Sequence, residues 1–573
     1  MVKKLGLICL LGVGCSTNDP PPAAGTEGDA STHGDPATTG GSEAADETGS
    51  GTDTSDTEGP GPTGALEFDP PGGVFFAPFE LQITTVLEGT IRYTEDGSPP
   101  TASSPEWNGA TMIDATTHIR AAVFAGDEAM APRSAAYLRV EPGLSHVSNL
   151  PVVVIETWDQ QDLLDDPERP RDFHPVYGVF FDVDESGQAS IENPPSFAGR
   201  GGMHIRGNST VEYPKKQYNL EIRHEDESDR AVTLLGMPEE SDWVLHAPYS
   251  DKTLMRNYLI YTWSNRIGRY AARTSFIEVY IDHDGSLGPD DYVGVYAWME
   301  KVKVDDQRVA IDRLESGHDT LPAVSGGYLL QRDWVGEEPE LTLTTAVYDD
   351  TLLFKSPKHD AATQPQIDFI TNYLDEFEGA LSGPGFDDEE TGYAQYIDVD
   401  SFIDHHLLVE LGRNVDGYVL STFMHKPREG KLHMGPVWDY NGALGNADYF
   451  EADDPEGWHF DNPEFPADNP NGYHWYARLF EDPAFGVRYA QRWQELRAGP
   501  LSNESLLQDI EDAAVLLESG GAVDRNFERW PVLGESVWPN DPGAEDRQTF
   551  EDEIAYLQSW LTARLAWMDS QLL

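Results

Sequence analysis

The spacing of apolar residues changes character along the chain. Residues 65–141 carry short alternating runs between turns, as at Phe79, Leu81 and Ile83, which is typical of a small antiparallel β-sandwich. From residue 150 to residue 573, buried-type strand patterns come first and amphipathic helical patterns follow. The pattern therefore predicts an α+β chain, with a small all-β sandwich ahead of a larger domain over 150–573.

Within the larger domain the pattern predicts particular elements. The predicted strands cover residues 152–155, 177–183, 218–222, 276–281, 292–302 and 326–330. The predicted helices cover residues 251–267, 368–381, 400–412, 475–497, 502–517 and 550–573. Asp251 and Asp400 are the expected helix caps, and residues 525–531 are expected in the connection before the last helix.

One stretch near residue 430 places two acids around a predicted hairpin. Residues 418–426 and 431–438 read as strands joined at residues 427–430, with Asp416 in the loop before them and Asp439 directly after. Two carboxylates so placed suit metal-assisted phosphoryl transfer, in which one orients the nucleophile and the other holds a divalent ion.

A second candidate element lies upstream, where Arg206 enters a Gly-Asn-Ser turn and Lys215 and Lys216 enter the next strand. Backbone and guanidinium donors in such a turn can cover phosphate oxygens, while a lysine supplies a point charge. A solvent-facing hairpin with surface lysines gives the same pattern. His405 and His406 are adjacent on a predicted helix and point apart, which favours packing over metal binding.

Composition narrows the choice of partners. The 573 residues carry a formal net charge of -63, which disfavours nucleic acid and anionic membrane surfaces. Such a surface attracts cations and basic polypeptides, although a generic acidic surface explains it equally well. The hydrophobic fraction of 39% allows a sizeable core.

The N-terminus predicts export. Residues 1–15 join a charged start to a short apolar run, as in a signal peptide. Gly14-Cys15-Ser16 resembles a bacterial lipoprotein cleavage site, which implies lipidation of Cys15. Residues 16–64 contain no Lys or Arg and few apolar side chains, so we expect a disordered acidic stalk. We expect a secreted, lipid-anchored protein of the cell envelope with no other membrane segment.

The first module carries a recognisable signature. Tyr93-Thr-Glu-Asp-Gly-Ser-Pro-Pro-Thr101 resembles the chitobiase/β-hexosaminidase C-terminal type of β-sandwich. Modules of this type are usually non-catalytic attachments. The resemblance implies a structural spacer, or a contact with a glycan or a cell surface.

Several motifs of the larger domain occur together and in a fixed order. They are Arg206-Gly-Asn-Ser-Thr210, Pro214-Lys-Lys216, Ser250-Asp-Lys252, Arg256-Asn257, Met299-Glu-Lys301, Glu410-x-x-x-Asn414-x-Asp416-x-Tyr418 and Gly435-Pro-Val-Trp-Asp439-x-Asn441. Over residues of about 150 to 570 the chain resembles the spore-coat protein H (CotH) kinase family. The resemblance implies an atypical kinase-like two-lobe domain with a helical C-terminal lobe, which uses ATP and Mg²⁺ (or Mn²⁺) on Ser or Thr of a secreted or surface protein.

The same resemblance implies roles for individual residues. Asp416 is the catalytic acid; Asp439, Asn414 and Asn441 serve the metal; Arg206, Lys215 and Lys216 contact phosphates; and Met299 and Glu300 lie at the nucleotide-base crossover. Ordinary protein-kinase motifs are missing from the sequence: there is no His-Arg-Asp, no Asp-Phe-Gly and no GxGxxG ahead of an Ala-x-Lys strand. Asn441 stands where some relatives carry a second acid.

Two other classes of function remain open. The domain can be a non-catalytic surface or adhesion protein built on a degenerate kinase-like scaffold. The predicted acidic stalk, the acidic surface and the β-sandwich module favour this hypothesis. The chain can also be a glycosidase that uses two carboxylates as acid and base, because sandwiches of this type are often attached to sugar-cleaving enzymes.

Overall fold

The computed structural model describes residues 65–158, 173–336, 340–461 and 473–573. The predicted signal peptide, Cys15 and the predicted stalk over 16–64 lie outside the described residues. Among the described helices, none combines the length and the apolar composition needed to cross a bilayer.

The described chain begins with two small β-sheets. Their strands are β1 Leu66–Asp69, β2 Gly73–Phe75, β3 Phe79–Thr85, β4 Thr90–Thr94, β5 Thr111–Ile113, β6 Thr117–Ala125 and β7 Glu128–Arg139. One sheet has the order β1-β3-β5 and the other β2-β7-β6-β4. Inward residues of both sheets, including Leu81, Ile119 and Val123, share one core. The prediction of a β-rich first module is confirmed.

A closed β-barrel follows. Its region contains β8 Val147–Ser148, β9 Val152–Glu156, β10 His174–Phe181, β11 Ala189–Ser190, β12 Phe197–Arg206, β13 Gln217–Ile222, β14 Asp242–His246, β15 Thr274–Asp282 and β16 Tyr292–Glu300. The barrel order is β10-β12-β13-β14-β16-β15-β9. Val153 and Ile155 of β9 pack inside the barrel, whereas Val152 and Val154 pack outside. Burial on both faces explains why β9 is a continuous apolar run.

The rest of the chain is mostly helical, around a second sheet. Its strands are β17 Tyr328–Arg332, β18 Thr342–Thr344, β19 Thr351–Ser356, β20 Thr422–Lys426 and β21 His433–Met434, in the order β18-β19-β17-β20-β21. The described helices are Arg256–Arg266, Gln364–Ser382, Val399–Gly412, Tyr473–Leu479, Pro483–Arg497, Asn503–Ser519, Ala522–Arg529 and Phe550–Leu572. The predicted mixed α and β composition with a helical C-terminal region is confirmed.

Several predicted element boundaries were wrong for identifiable reasons. The cap of helix Val399–Gly412 is Asp398, whose carboxylate accepts from the Ser401 amide at 2.8 Å, and not Asp400. The predicted helix 475–497 is two helices, because Pro483 cannot donate a backbone hydrogen bond and Asp482 caps the second one.

Two further boundary corrections affect the region around the candidate site. The helix predicted from residue 251 begins at Arg256, although the Asp251 carboxylate still accepts from the Arg256 amide at 2.8 Å. Residues 525–529, predicted as a connection, belong to helix Ala522–Arg529, which packs against β16.

The first module and the barrel share a hydrophobic core. Leu138 and Val140 of the module pack with Val154 and Leu287 of the barrel region in a single buried cluster. Glu225, in the turn after β13, accepts from the backbone amide of Ser134 at 2.6 Å. The module is therefore packed against the barrel over both apolar and polar contacts.

Candidate active site

The loop that carries Asp416 follows directly from helix Val399–Gly412. Arg413 ends the helix in the left-handed conformation, with φ of 48°. The Asp416 carbonyl accepts from the amides of Val419 and Leu420 at 2.9 and 2.8 Å, which closes a tight turn. The turn therefore fixes the position of Asp416 in the loop directly after the buried helix.

Glu410, in the last turn of that helix, anchors the loop from behind. Its buried carboxylate accepts from the Tyr418 hydroxyl at 2.8 Å, from the amides of His459 and Phe460 at 2.8 and 2.9 Å, and from Arg564 at 3.1 Å. These donors and the Arg564 guanidinium offset the cost of burying the carboxylate. The loop is held by helix and C-terminal contacts together.

Asp439 lies just beyond the hairpin of β20 and β21. Regular pairing stops at Met434, four residues before the predicted strand end, because Gly435 and Pro436 follow and proline cannot donate to the ladder. Asp439 has a left-handed φ of 61°, a conformation that Asp tolerates better than most residues. Its amide donates to the Tyr261 hydroxyl at 3.0 Å.

Asn414 joins the two acid-bearing segments. Its side-chain amide donates to the Asp439 carbonyl at 3.0 Å, and its side-chain oxygen accepts from the Asp416 amide at 3.4 Å. One side chain therefore fixes the relative position of backbone segments that lie 25 residues apart.

Asp416 and Asp439 line the same pocket. The other lining residues are Ser209, Thr210, Tyr213, Val415, Asn441, Gly442, Tyr449, Trp538 and Pro539. The short 3₁₀ turn Ser209–Glu212 closes the pocket from the barrel side. The pocket has a volume of about 10 Å³, room for roughly one water molecule or ion.

The pocket offers oxygen ligands in a buried setting. Burial, together with the negative charge of Asp333, raises the pKa of Asp416 to about 7. Among the described residues, the side-chain oxygens of Thr210 and Asn441 have no hydrogen-bond partner. Carboxylate and amide oxygens are the ligands that Mg²⁺ and Mn²⁺ prefer.

The pocket therefore offers only a few protein ligands to a metal ion. In the part of the chain that the structure describes, no three His, Cys, Asp or Glu side chains are grouped to hold a metal ion. Asp439 and Asn441 provide one carboxylate and one amide, and Asp416 lies in the same pocket as the candidate catalytic acid. Mg²⁺ in nucleotide sites is commonly held by one or two carboxylates and by substrate phosphates, so the donor set fits such an ion.

Arg206 and Lys216 adjoin the pocket without lining it. The buried Arg206 guanidinium lies 5.9 Å from the centre of the Trp438 ring and donates to the Gln217 side chain at 3.4 Å. The Lys216 ammonium donates to the Val211 carbonyl at 2.6 Å and so ties down the turn over the pocket.

The Lys215 side chain does not reach the pocket. Its ammonium is buried against helix Ala522–Arg529, where it donates to the Val295 carbonyl at 2.6 Å and to the Asn526 side chain at 2.9 Å. Burial lowers the pKa of Lys215 well below its usual value. The structure does not bring this lysine to the pocket, because a helix predicted as a loop covers that end of the barrel.

Met299 and Glu300 also lie off the pocket. Met299 is fully buried in the largest hydrophobic core. The Glu300 carboxylate pairs with Arg273 at 2.6 Å and with Arg308 at 3.3 Å. Both side chains have structural contacts where β16 leaves the barrel, and neither lines the pocket with the two acids.

Several residues of the site were not identified as such from the sequence. The Asn257 side chain accepts from the Tyr440 amide at 2.6 Å, and Tyr261 binds the Asp439 amide. Asn257 belongs to the motif Arg256-Asn257, from which the sequence predicts no role for its side chain. Tyr449 and Trp538 gave no sequence signal, because they reach the pocket from irregular segments far apart in the chain.

The barrel packs on a helical region, and two carboxylates line a pocket between a barrel turn and the loop that follows helix Val399–Gly412. The family model described as CotH kinase protein matches residues 203–568, and the chain belongs to this family. The model described as chitobiase/beta-hexosaminidase C-terminal domain matches residues 70–134. A search of curated proteins found no match.

Proposed function

We propose that this protein is an atypical protein kinase that transfers the γ-phosphoryl group of ATP to a Ser or Thr hydroxyl of an extracytoplasmic protein. The barrel acts as one lobe of a kinase-like pair and the helical region as the other. The observation that carries the proposal is the position of Asp416 and Asp439 on one pocket, joined through Asn414.

Asp416 orients and deprotonates the acceptor. As the hydroxyl oxygen bonds to the γ-phosphorus, the bond from that phosphorus to the β–γ bridging oxygen breaks and ADP leaves with the electron pair. The hydroxyl proton passes to the Asp416 carboxylate. A base is most effective when its pKa lies near the working pH, and the pKa of about 7 meets that condition.

Asp439 and Asn441 are the residues that would hold a divalent ion for the phosphates of ATP. A bound Mg²⁺ or Mn²⁺ supplies charge neutralisation on the phosphate oxygens. Asp439 is well placed for this task, because Tyr261 and Asn414 fix its backbone from both sides. The turn Ser209–Glu212 would then cover the phosphates from above.

Nucleotide entry requires that turn to lift. A space of about 10 Å³ admits an ion but not a triphosphate. Gly207 precedes the turn with φ of 106°, and a Cβ at this position would lie 2.0 Å from the Thr210 hydroxyl. Only glycine combines the required backbone conformation with that close approach.

Incubation of the purified chain with γ-labelled ATP and Mg²⁺ or Mn²⁺ tests the proposal. The acceptors are the chain itself, casein and basic peptides, which suit an acidic surface. Label transfer is expected for the wild type and for Asp448→Asn, a control at an exposed acid after Asp439. Asp416→Asn and Asp439→Asn should abolish transfer. Transfer that survives in both variants would contradict the proposal and favour a binding scaffold.

We also propose that Cys15 is lipidated and anchors the protein outside the cytoplasm. The short apolar run before Cys15 and the acidic segment after it support this location. Metabolic labelling with a radioactive fatty acid should mark the wild type and not Cys15→Ser. Equal labelling of both proteins would contradict the anchor and leave the kinase proposal untouched.

A further inference from the structure

A group of carboxylates lies on the outside of the barrel, away from the candidate active site. Glu156 ends β9 and Asp282 ends β15, and the two residues are direct partners in the parallel pairing of these strands. Their side chains therefore lie side by side on one face of the sheet. Both are buried, with exposed fractions of 1% and 0%.

Each carboxylate uses only one of its two oxygens. Glu156 Oε1 accepts from the Trp158 amide at 2.8 Å. Asp282 Oδ1 accepts from the amides of Asp284, Gly285 and Ser286 at 3.1, 2.8 and 3.3 Å. The second oxygens, Glu156 Oε2 and Asp282 Oδ2, are buried and accept a hydrogen bond from no donor group among the described residues.

The two carboxyl groups face each other. They lie within hydrogen-bonding reach, and burial together with the neighbouring charge of Asp282 raises the pKa of Glu156 to about 9. No cationic side chain is a main influence on either group among the described residues. Two adjacent buried carboxylates need a compensating positive charge or a shared proton.

The loop that follows β15 adds further oxygen groups. Its sequence, Asp282-His-Asp-Gly-Ser286, alternates oxygen-bearing side chains and contains a glycine at its turn. Ca²⁺-binding loops have the same general composition. Asp291, at the end of this loop, is close enough to Asp282 for their charges to interact, and its Oδ2 accepts from the Gly288 amide at 2.7 Å.

We propose that Glu156 and Asp282 bind a Ca²⁺ ion through the two oxygens that face each other without a donor group. Within the described ranges no three His, Cys, Asp or Glu side chains are grouped to hold a metal ion, so the proposed coordination would be completed by backbone carbonyls and water. Ca²⁺ accepts such ligands in variable geometry, whereas Mg²⁺ requires a near-ideal octahedron and loses water reluctantly.

Ca²⁺ at this position would strengthen the junction between the first module and the barrel. The loop after Asp282 pairs with the end of β7: the Leu287 amide donates to the Arg139 carbonyl and the Glu141 amide to the Leu287 carbonyl, both at 2.9 Å. An ion that fixes the start of the loop therefore also fixes its contact with the module.

The test is Ca²⁺ titration of the full chain after treatment with a chelator. Calorimetry should show one bound Ca²⁺, and saturating Ca²⁺ should raise the Tm by about 3 °C or more. Glu156→Gln and Asp282→Asn should lose both effects. Asp290→Asn, an exposed acid of the same loop, and Asp439→Asn, in the candidate active site, should keep them.

Terbium luminescence provides a measurement that does not depend on whether the two carboxylate variants fold. Tb³⁺ replaces Ca²⁺ at oxygen sites and emits when a nearby tryptophan is excited, and Trp158 adjoins Glu156. Wild-type emission should fall on addition of Ca²⁺ and be largely lost in Trp158→Phe. The proposal is overturned if no Ca²⁺ binds, if binding persists in both carboxylate variants, or if the Tm responds to pH alone, as expected for a shared proton.

Discussion

At the scale of single residues, the environment of Asp416 determines the expected pH dependence. Its pKa is raised to about 7 by burial and by the charge of Asp333. Because the ionised form accepts the acceptor proton, phosphoryl transfer should increase as the pH rises through about 7. A pH profile of kcat/KM measures this. A profile that is flat from pH 5 to pH 9 would contradict the assigned base.

The same pKa makes a separate prediction about stability. An Asp with a raised pKa in the folded state stabilises the fold fully below its unfolded pKa of about 4. That contribution is lost as the pH rises through about 7. Asp416→Asn should therefore be inactive and, in the absence of metal, gain thermal stability over wild type at pH 8 but not at pH 4.

Asn441 offers a gain-of-function prediction. Its side-chain oxygen lines the pocket without a partner among the described residues. Asn441→Asp adds a charge next to Asp439, so Mn²⁺ should bind about tenfold more tightly in the presence of ATP. Calorimetric titration with Mn²⁺ provides the measurement, with Asp448→Asn as the control. Unchanged affinity would place the ion elsewhere.

Sequence reasoning located the two acids but not all their neighbours. Asp416 and Asp439 flank a hairpin, a local arrangement that the alternation of strands and turns reveals. Lys215 was expected on the phosphates, yet its ammonium is buried against Asn526, 311 residues later in the chain. A contact over such a separation depends on how a distant helix packs. The local sequence pattern around Lys215 therefore does not predict it.

At the scale of elements, the turn over the pocket depends on one glycine. Gly207→Ala places a methyl group against the Thr210 hydroxyl and strains a backbone of φ 106°. The turn must shift, so nucleotide affinity should fall about tenfold or more, while the fold is retained. Fluorescence titration with a labelled ATP analogue measures the affinity. Gly236→Ala is a matched control, since Gly236 also has positive φ but no neighbour within 4 Å.

Most strands and helices were predictable, and their ends were not. The alternation in the first module and the apolar run of β9 identify strands, because burial of one or both faces of a strand determines the local pattern of apolar residues. Ends depend on single hydrogen bonds, as where Asp398 rather than Asp400 accepts the Ser401 amide. Asp398 and Asp400 are both possible caps in the sequence. The conformation of the backbone before the helix determines which of them reaches the free amide.

At the scale of the whole molecule, the first module is part of the folded unit rather than a separate attachment. Leu138 packs in a core shared with the barrel. Leu138→Ala should reduce the free energy of unfolding by about 2–5 kcal/mol, whereas Met112→Ala, at an exposed position of the same module, should change it by less than about 0.5 kcal/mol. Urea unfolding measures both. Equal effects would contradict a shared core.

The closure of the barrel and its cover by the module were beyond sequence reasoning. Strand patterns show which faces are apolar, but not that β9 pairs with both β10 and β15 to complete a barrel. The partner strands β9 and β15 lie more than 100 residues apart in the chain, and the pairing order follows from packing of the whole chain.

The central claim is that Asp439 holds a nucleotide-bound cation while Asp416, in the same pocket, orients the acceptor hydroxyl. The most direct test is calorimetric titration of the purified chain with ATP, with and without Mg²⁺ or Mn²⁺. The account predicts binding that requires the metal in the wild type and is lost in Asp439→Asn. Absence of nucleotide binding under both conditions, or binding indifferent to metal and to Asp439, would contradict it.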